Sequence, residues 1–440
     1  MAEVVPFKGV LYNPDLITNI ADVIAPPYDV ISVQEQEAFH QQHPNNVIRL
    51  ILGKTRERDS GRSDVHQRAA RYFNQWMTDK ILVRDSVPAY YLTSVDFPVA
   101  DRTVTRYGII GNVRLAPFDK GIVLPHERTF SKVKSERLQL MLACHTNFSP
   151  IFGLYADGNG VLERLRWLAD IHAPDIDLVD NKGLRHKLWR VTDPETQAHI
   201  HSSLKDQCIY IADGHHRYET ALSYREWARE NIQGFNQNHP ANFVMMSLSS
   251  LKDPGMVIFP AHRLLKEVPE EQMSAFMDKA GEHFDIHAFS TDAGVSSAMD
   301  AFNQALAANS DKNAIGVYLK HHANLYVLVL KDDVMTRLFG DQLPEALCDL
   351  DVTVLTHLLM MELLGFDQDR LDDATRIRYA TTSQDAAAAV DEGRADMAFI
   401  LNPTKIEQVQ RVAGEGLIMP RKSTYFYPKV GSGLVINLLK

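Results

Sequence analysis

With 440 residues, 45% of them hydrophobic and 23% charged, the chain is long enough for two or three packed domains and leaves no room for extensive disorder. Lys and Arg number 46 against 56 Asp and Glu, so the formal charge is −10, which excludes the surface-wide cationic field that drives non-specific nucleic-acid binding. Cys144, Cys208 and Cys348 are odd in number, far apart and outside any CxxC pair, which argues against a disulfide framework and a zinc site.

Residues 1–8 lack a basic segment followed by an apolar run, and no stretch approaches about 18 consecutive apolar residues. The expectation is a cytoplasmic protein with no membrane partner. The element pattern is α/β with mixed sheets and falls into three regions, 1–115, 116–265 and 266–440.

In the first region Ala25-Pro26-Pro27-Tyr28-Asp29-Val30 reads as a fixed extended path before a short helix, suited to lining a cleft. Periodicity predicts a helix over 65–77. Tyr90-Tyr91-Leu92 and Tyr107-Gly108-Ile109-Ile110 read as strands flanking a turn at 98–101. In the second region the apolar run 208–212 gives way to helical spacing, with Tyr218, Ala221, Leu222 and Ala228 on one face, so Gly214 stands where a buried strand becomes a helix. The third region shows helices at 295–308 and around Ala386–Ala389, strands at 315–319, 325–330 and 397–401, and a loop and strand over 419–429. Trp76, Trp167 and Trp189 sit in helical or strand patterns that predict core positions.

Three constellations carry chemistry. A glycine turn just before a helix lets an anion approach unpaired N–H groups at the positive end of the helix dipole. In Asp213-Gly214-His215-His216-Arg217, Arg217 adds a forked cation, and the two histidines add donors or proton-transfer groups. Asp213 is suited to capping the helix or holding a metal. Adjacent histidines on a helix diverge and no HExxH accompanies them, so no metal-ligand set is assigned. The second constellation is Pro125-His126-Glu127-Arg128-Thr129-Phe130, followed by Lys132, Lys134 and Arg137. Here a carboxylate between histidine and arginine reads either as a general base or as a surface salt-bridge cluster. The third comprises Lys405 and the segment Arg421-Lys422-Ser423-Thr424, suited to neutralising phosphate.

The segments 25–30, 125–129, 211–219 and 419–426, in this order and across nearly the whole chain, resemble the family called domain of unknown function 1015. More distantly, a His-Glu element followed by strand-Asp-Gly-His-His-Arg-helix is similar to free serine kinases of the ParB/sulfiredoxin-like superfamily. That resemblance implies a ParB/sulfiredoxin-like core over 116–265 with large insertions and flanking regions, because 127 and 213 lie farther apart here than compact kinases need. It also implies Glu127 as base with His126 and His216 beside it. Asp213, Gly214, His215, His216 and Arg217 would then hold the phosphates of ATP or ADP together with Lys422, Ser423 and Thr424, and Mg2+ would sit at the phosphates.

The function that follows is a nucleotide-dependent phosphotransferase acting on the hydroxyl of a small metabolite, with L-serine as a candidate. The alternatives are a nucleotide-binding regulatory or ParB-like DNA-associated module, and a phosphoester hydrolase. The net charge and the lack of a basic helix-turn-helix speak against nucleic acid. The oligomeric state is not legible.

Overall fold

The computed structural model describes residues 2–440 apart from Arg58, Ser60, Arg128, Phe130, Asp206 and Ala374, and the backbone alone of Arg62, Ser131, Lys132 and Val133. The protein is mixed α/β. Its chain forms two compact units, one running up to Val257 and completed by Pro428–Lys440, the other Ile258–Tyr427.

The first unit is built on a nine-stranded sheet. In chain order its strands are β1 (Val4–Val5), β2 (Tyr90–Val99), β3 (Arg102–Arg114), β4 (Val123–Leu124), β5 (Ile151–Tyr155), β6 (Ile176–Val179), β7 (Arg185–Val191), β8 (Ile209–Asp213) and β9 (Phe243–Ser250). They lie in the order β4-β8-β5-β9-β3-β2-β7-β6, with β1 paired to β3. The sheet therefore crosses position 115/116, where the sequence reading placed a boundary. β2 and β3 are the expected hairpin, turning at Ala100 and Asp101. Their centres are buried on both faces, which is why Tyr90-Tyr91-Leu92 reads as a continuous apolar run. Each tyrosine hydroxyl finds a partner there: Tyr90 donates to the Val4 carbonyl at 2.7 Å and Tyr91 to Asp85 at 2.7 Å.

Most neighbours in this sheet are antiparallel, but β8 runs parallel to β4 and β9 parallel to β5. Helices α1 (Val33–Gln42), α2 (Arg62–Thr78), α3 (Ser131–Cys144) and α4 (His215–Asn231) belong to the same unit. α1 starts with a capping box between Ser32 and Glu35. α4 buries Tyr218, Ala221, Tyr224 and Ala228 into the core shared with Ile209 and Ile211, and each fully enclosed large apolar side chain stabilises by about 1.5–3 kcal/mol.

The second unit has a six-stranded, wholly antiparallel sheet. Its strands are β10 (His262–Leu265), β11 (Phe284–Ser290), β12 (Ala314–Leu319), β13 (Asn324–Leu330), β14 (Ile377–Ala380) and β15 (Met397–Leu401), in the order β11-β13-β12-β15-β10-β14. The helices Val295–Ala308 and Ser383–Asp391 pack into its core with Phe302 and Ala386. Gly316 is needed for this closeness, since a Cβ there would come within 2.3 Å of the Phe302 ring. Val354–Leu363 winds as a π-helix, continued by an i→i−5 bond from Leu364 N–H to the Leu359 carbonyl at 3.1 Å.

Trp76 and Trp189 are buried as expected, but Trp167 is 46% exposed. Its ring is covered by the Arg164 guanidinium, 4.3 Å from the centroid, so a cation rather than the core shields it. Among the described residues no helix is long and apolar enough to cross a membrane.

Candidate functional site

The parallel pairing of β4 with β8 explains why two segments distant in sequence meet. Val123 lies opposite Ile209 and Leu124 opposite Tyr210, so both strands end at the same sheet edge and release 125–127 and 213–217 side by side. A register shift between Ile211 and Asp213 interrupts the ladder to β5 just before the turn; such bulges re-aim a side chain. Gly214 follows at φ 97° and ψ 29°, a left-handed conformation that favours glycine. A Cβ on Gly214 would also come within 2.9 Å of the Arg217 guanidinium.

Asp213 does not cap the helix. One of its oxygens accepts from Lys429 Nζ at 2.5 Å and the other from an Arg217 Nη at 2.5 Å. Arg217 also donates to the Pro150 carbonyl. Burial pushes the Asp213 carboxyl up, but Lys429 and then Arg217 outweigh it and hold the group at about 2. Lys429 responds in the other direction. Its burial works against the charge, and Asp213, Asp29 and Glu127 raise its pKa above the ordinary lysine value.

His126 is fully buried and His215 nearly so, and their rings meet edge to face at 4.8 Å. The His126 backbone N–H donates to His215 Nε2 at 3.2 Å, which assigns the neutral His215 proton to Nδ1. Burial lowers the His126 pKa to about 4 and that of His215 well below its ordinary value. Both are therefore neutral packing and hydrogen-bonding groups near neutral pH. His216 and Glu127 keep accessible surface. Burial lowers the His216 pKa too, opposed by the charges of Glu219, Asp29 and Glu127. Glu219 in turn pairs with Lys134 at 2.7 Å and accepts from the Thr129 hydroxyl, tying α3 to α4.

The resemblance drawn from the sequence brought Glu127, His126 and 213–217 together, and the structure places them at one edge. Sequence reasoning gave no individual role to Lys429, Tyr28 or Asp29, although it read 25–30 as lining a cleft. Tyr28 stacks under the Arg137 guanidinium, 4.1 Å from the ring centroid, and feels the charges of Arg217 and Asp213. Lys429 is brought in by the returning segment, which bridges Ser432 to Ala25 and Ile436 to Val10 and pairs Asn437 with Asn147. The buried Arg106 fixes its start by donating to the Pro428 carbonyl at 2.7 Å while stacking on Phe152 at 4.5 Å. The signals in sequence were the fixed extended path of 25–30 and the place of 25–30 and 419–426 among the segments that carry the family resemblance.

Lys422, Ser423 and Thr424 belong to the second unit. Lys422 has φ 56°, Ser423 is buried with its hydroxyl donating to the Pro420 carbonyl at 2.5 Å, and Thr424 is also buried. Arg421 pairs with Asp372 at 2.6 Å. Arg128 and the Lys132 side chain, both part of the second sequence constellation, lie outside the described residues.

The fold is thus a mixed α/β protein whose first unit carries a strand-to-helix turn with an aspartate held between two cations. The chain belongs to the family described as protein of unknown function (DUF1015), whose profile matches residues 4–353. No curated protein matches the sequence. Among solved structures it is similar to a free serine kinase variant in complex with ADP, at 11% identity and TM-score 0.34 over 72% of this chain and 87% of that one. It is similar also to a conserved hypothetical protein from Pyrococcus furiosus, at 12% identity and TM-score 0.34 over 75% and 95% of the two chains. A third is SbnI with C-terminal truncation from Staphylococcus aureus, at 10% identity and TM-score 0.34 over 74% and 88%.

Proposed function

We propose that the first unit binds the phosphates of ATP or ADP at the start of α4 and transfers a phosphoryl group to the hydroxyl of a small metabolite. The observation that carries this reading is the left-handed Gly214 turn before a helix of 17 residues, flanked by Arg217 and Lys429 and reached electrostatically by the Glu127 carboxylate. Phosphoryl transfer depends on positioning and charge neutralisation, so such a set suffices. The N–H groups of the first α4 turn and its dipole face the phosphates, Arg217 and Lys429 offset their charge, and Asp213 keeps both cations in place.

Glu127 takes the proton of the acceptor hydroxyl. The hydroxyl oxygen bonds to the terminal phosphorus as the bond to the nucleotide bridging oxygen breaks, and that oxygen keeps the electron pair. His126 acts through His215 by fixing the turn. Both Asp213 oxygens are engaged, so a Mg2+ ion fits Asp29 better than Asp213; one carboxylate plus phosphate oxygens is a usual set for it. Bound there, Mg2+ would neutralise charge on the phosphates.

The test is a 31P NMR assay with ATP or ADP, Mg2+ and a panel of small hydroxyl compounds headed by L-serine, run on the wild type and on Glu127→Gln. A new phosphoester signal that the variant loses while nucleotide affinity stays unchanged supports the reading. Phosphate release without an acceptor would make the protein a hydrolase. No nucleotide binding by the wild type would sink the proposal.

A further inference from the structure

A cavity of about 750 Å3 in the first unit does not lie at the turn. It is lined by α1, the segment following Leu50, α2 and α3. Ile51, Arg137 and Leu140 also line a second cavity of about 60 Å3, whose other walls include Tyr28, Arg217 and Thr220. The two share a wall, and the smaller one reaches the arginine of the turn.

We infer that the large cavity is the subsite for the nucleoside of the nucleotide whose phosphates lie on the turn, an inference that rests on the proposed function. Its volume falls within the range of about 300–1,000 Å3 typical of small-molecule sites. Leu50, Leu52 and Val65 offer apolar surface for the faces of a base, and Gln34, Gln36 and His66 offer hydrogen-bonding groups for its edges. This mix of apolar walls with a few polar groups suits a flat heterocycle.

Arg137 joins the two cavities. It is nine-tenths buried, stacks on Tyr28, and donates one Nη to the Ile51 carbonyl at 2.8 Å and the other to Glu136 at 2.8 Å. Its Nε has no acceptor among the described residues. Arg137 thus stands as a fixed cation on the wall common to both cavities, complementary to a phosphate that lies between nucleoside and turn.

The experiment is a calorimetric titration of the full chain with Mg2+-ATP and with Mg2+-tripolyphosphate, the second probing the turn alone. It is repeated on Gln34→Trp and Glu37→Trp, exposed α1 positions where an indole would fill the cavity. The expected result is wild-type affinity for ATP about tenfold or more above that for tripolyphosphate. In both variants that advantage disappears while tripolyphosphate binding is unchanged. An intact ATP preference in both folded variants would overturn the inference, as would a wild type that binds both ligands equally. Absence of binding to either ligand would remove the proposed function, and the inference with it. Photolabelling of the wild type with 8-azido-ATP gives an answer that needs no variant. Label within 33–55, 65–69 or 136–140 supports the subsite, and label confined elsewhere refutes it.

Discussion

Each unit holds a largely enclosed aspartate at a helix start, and the two carboxyls go in opposite directions. Asp213 in the first unit sits between Lys429 and Arg217 and is held at about 2. Asp351 in the second is pushed up to about 7, because burial dominates and only Asn313, at 3.0 Å, Lys405 and Asn402 oppose it. Burial alone cannot tell a buried anion from a buried acid. Two cations within hydrogen-bonding distance make the first, and amides with one more distant lysine leave the second.

Asp213→Asn is the severest way to break this contrast, because it leaves Lys429 and Arg217 without their anion. A loss of about 3–5 kcal/mol is expected in denaturant unfolding near neutral pH. A loss below about 1 kcal/mol would show that the cluster does not depend on its charge. The paired variant Asp213→Asn/Lys429→Met should cost less than the sum of the two single changes, which a double-mutant cycle reads directly.

Asp351→Asn sharpens the comparison from the other side, and its sign reverses. Because the folded pKa of Asp351 lies above its ordinary 3.8, its contribution is whole below about pH 4 and is lost as pH rises towards 7. The asparagine variant should therefore equal the wild type at about pH 4 and exceed it by about 2–4 kcal/mol at about pH 8. Asp213 has a depressed pKa, so its contribution is present above about pH 4 and fades only as pH falls towards 2. A variant gap at Asp351 that does not change with pH would rule out the raised pKa.

Gly214→Ala tests the backbone rather than the charges. The strained φ and the contact with Arg217 should cost about 1–3 kcal/mol and weaken tripolyphosphate binding. The smallest effect belongs to Arg421→Ala. Its pair with Asp372 is more than one-third exposed on both sides, so a change under about 1 kcal/mol is expected, with nucleotide affinity unaltered. A large loss of affinity there would count the 421–424 segment into the nucleotide site.

Local periodicity was enough to read the strand-to-helix junction at Gly214, the helix Val295–Ala308 and the β2–β3 hairpin, since their signals lie within a few residues. The meeting of Glu127 with the turn came from resemblance. Its physical cause, the parallel register of β4 and β8, leaves no trace in a strand of only two residues. Lys429 was one cation among three in an unusual loop, and no local pattern announces a partner that far back in the chain. Trp167 was misread because helical spacing places a residue on a face without saying what covers that face. The π-helix was invisible because Val354–Leu363 is apolar on nearly every face, broken only by Thr356, His357 and Glu362, so its periodicity is flat.

The first unit closes on itself only through its last thirteen residues, and Lys429 stands 216 positions after the carboxylate it neutralises. During synthesis the strand, the turn and Arg217 are made long before that ammonium, and the whole second unit is made in between. The nascent turn therefore waits with one of the two cations that hold Asp213, and the second joins it only after the whole second unit has been made.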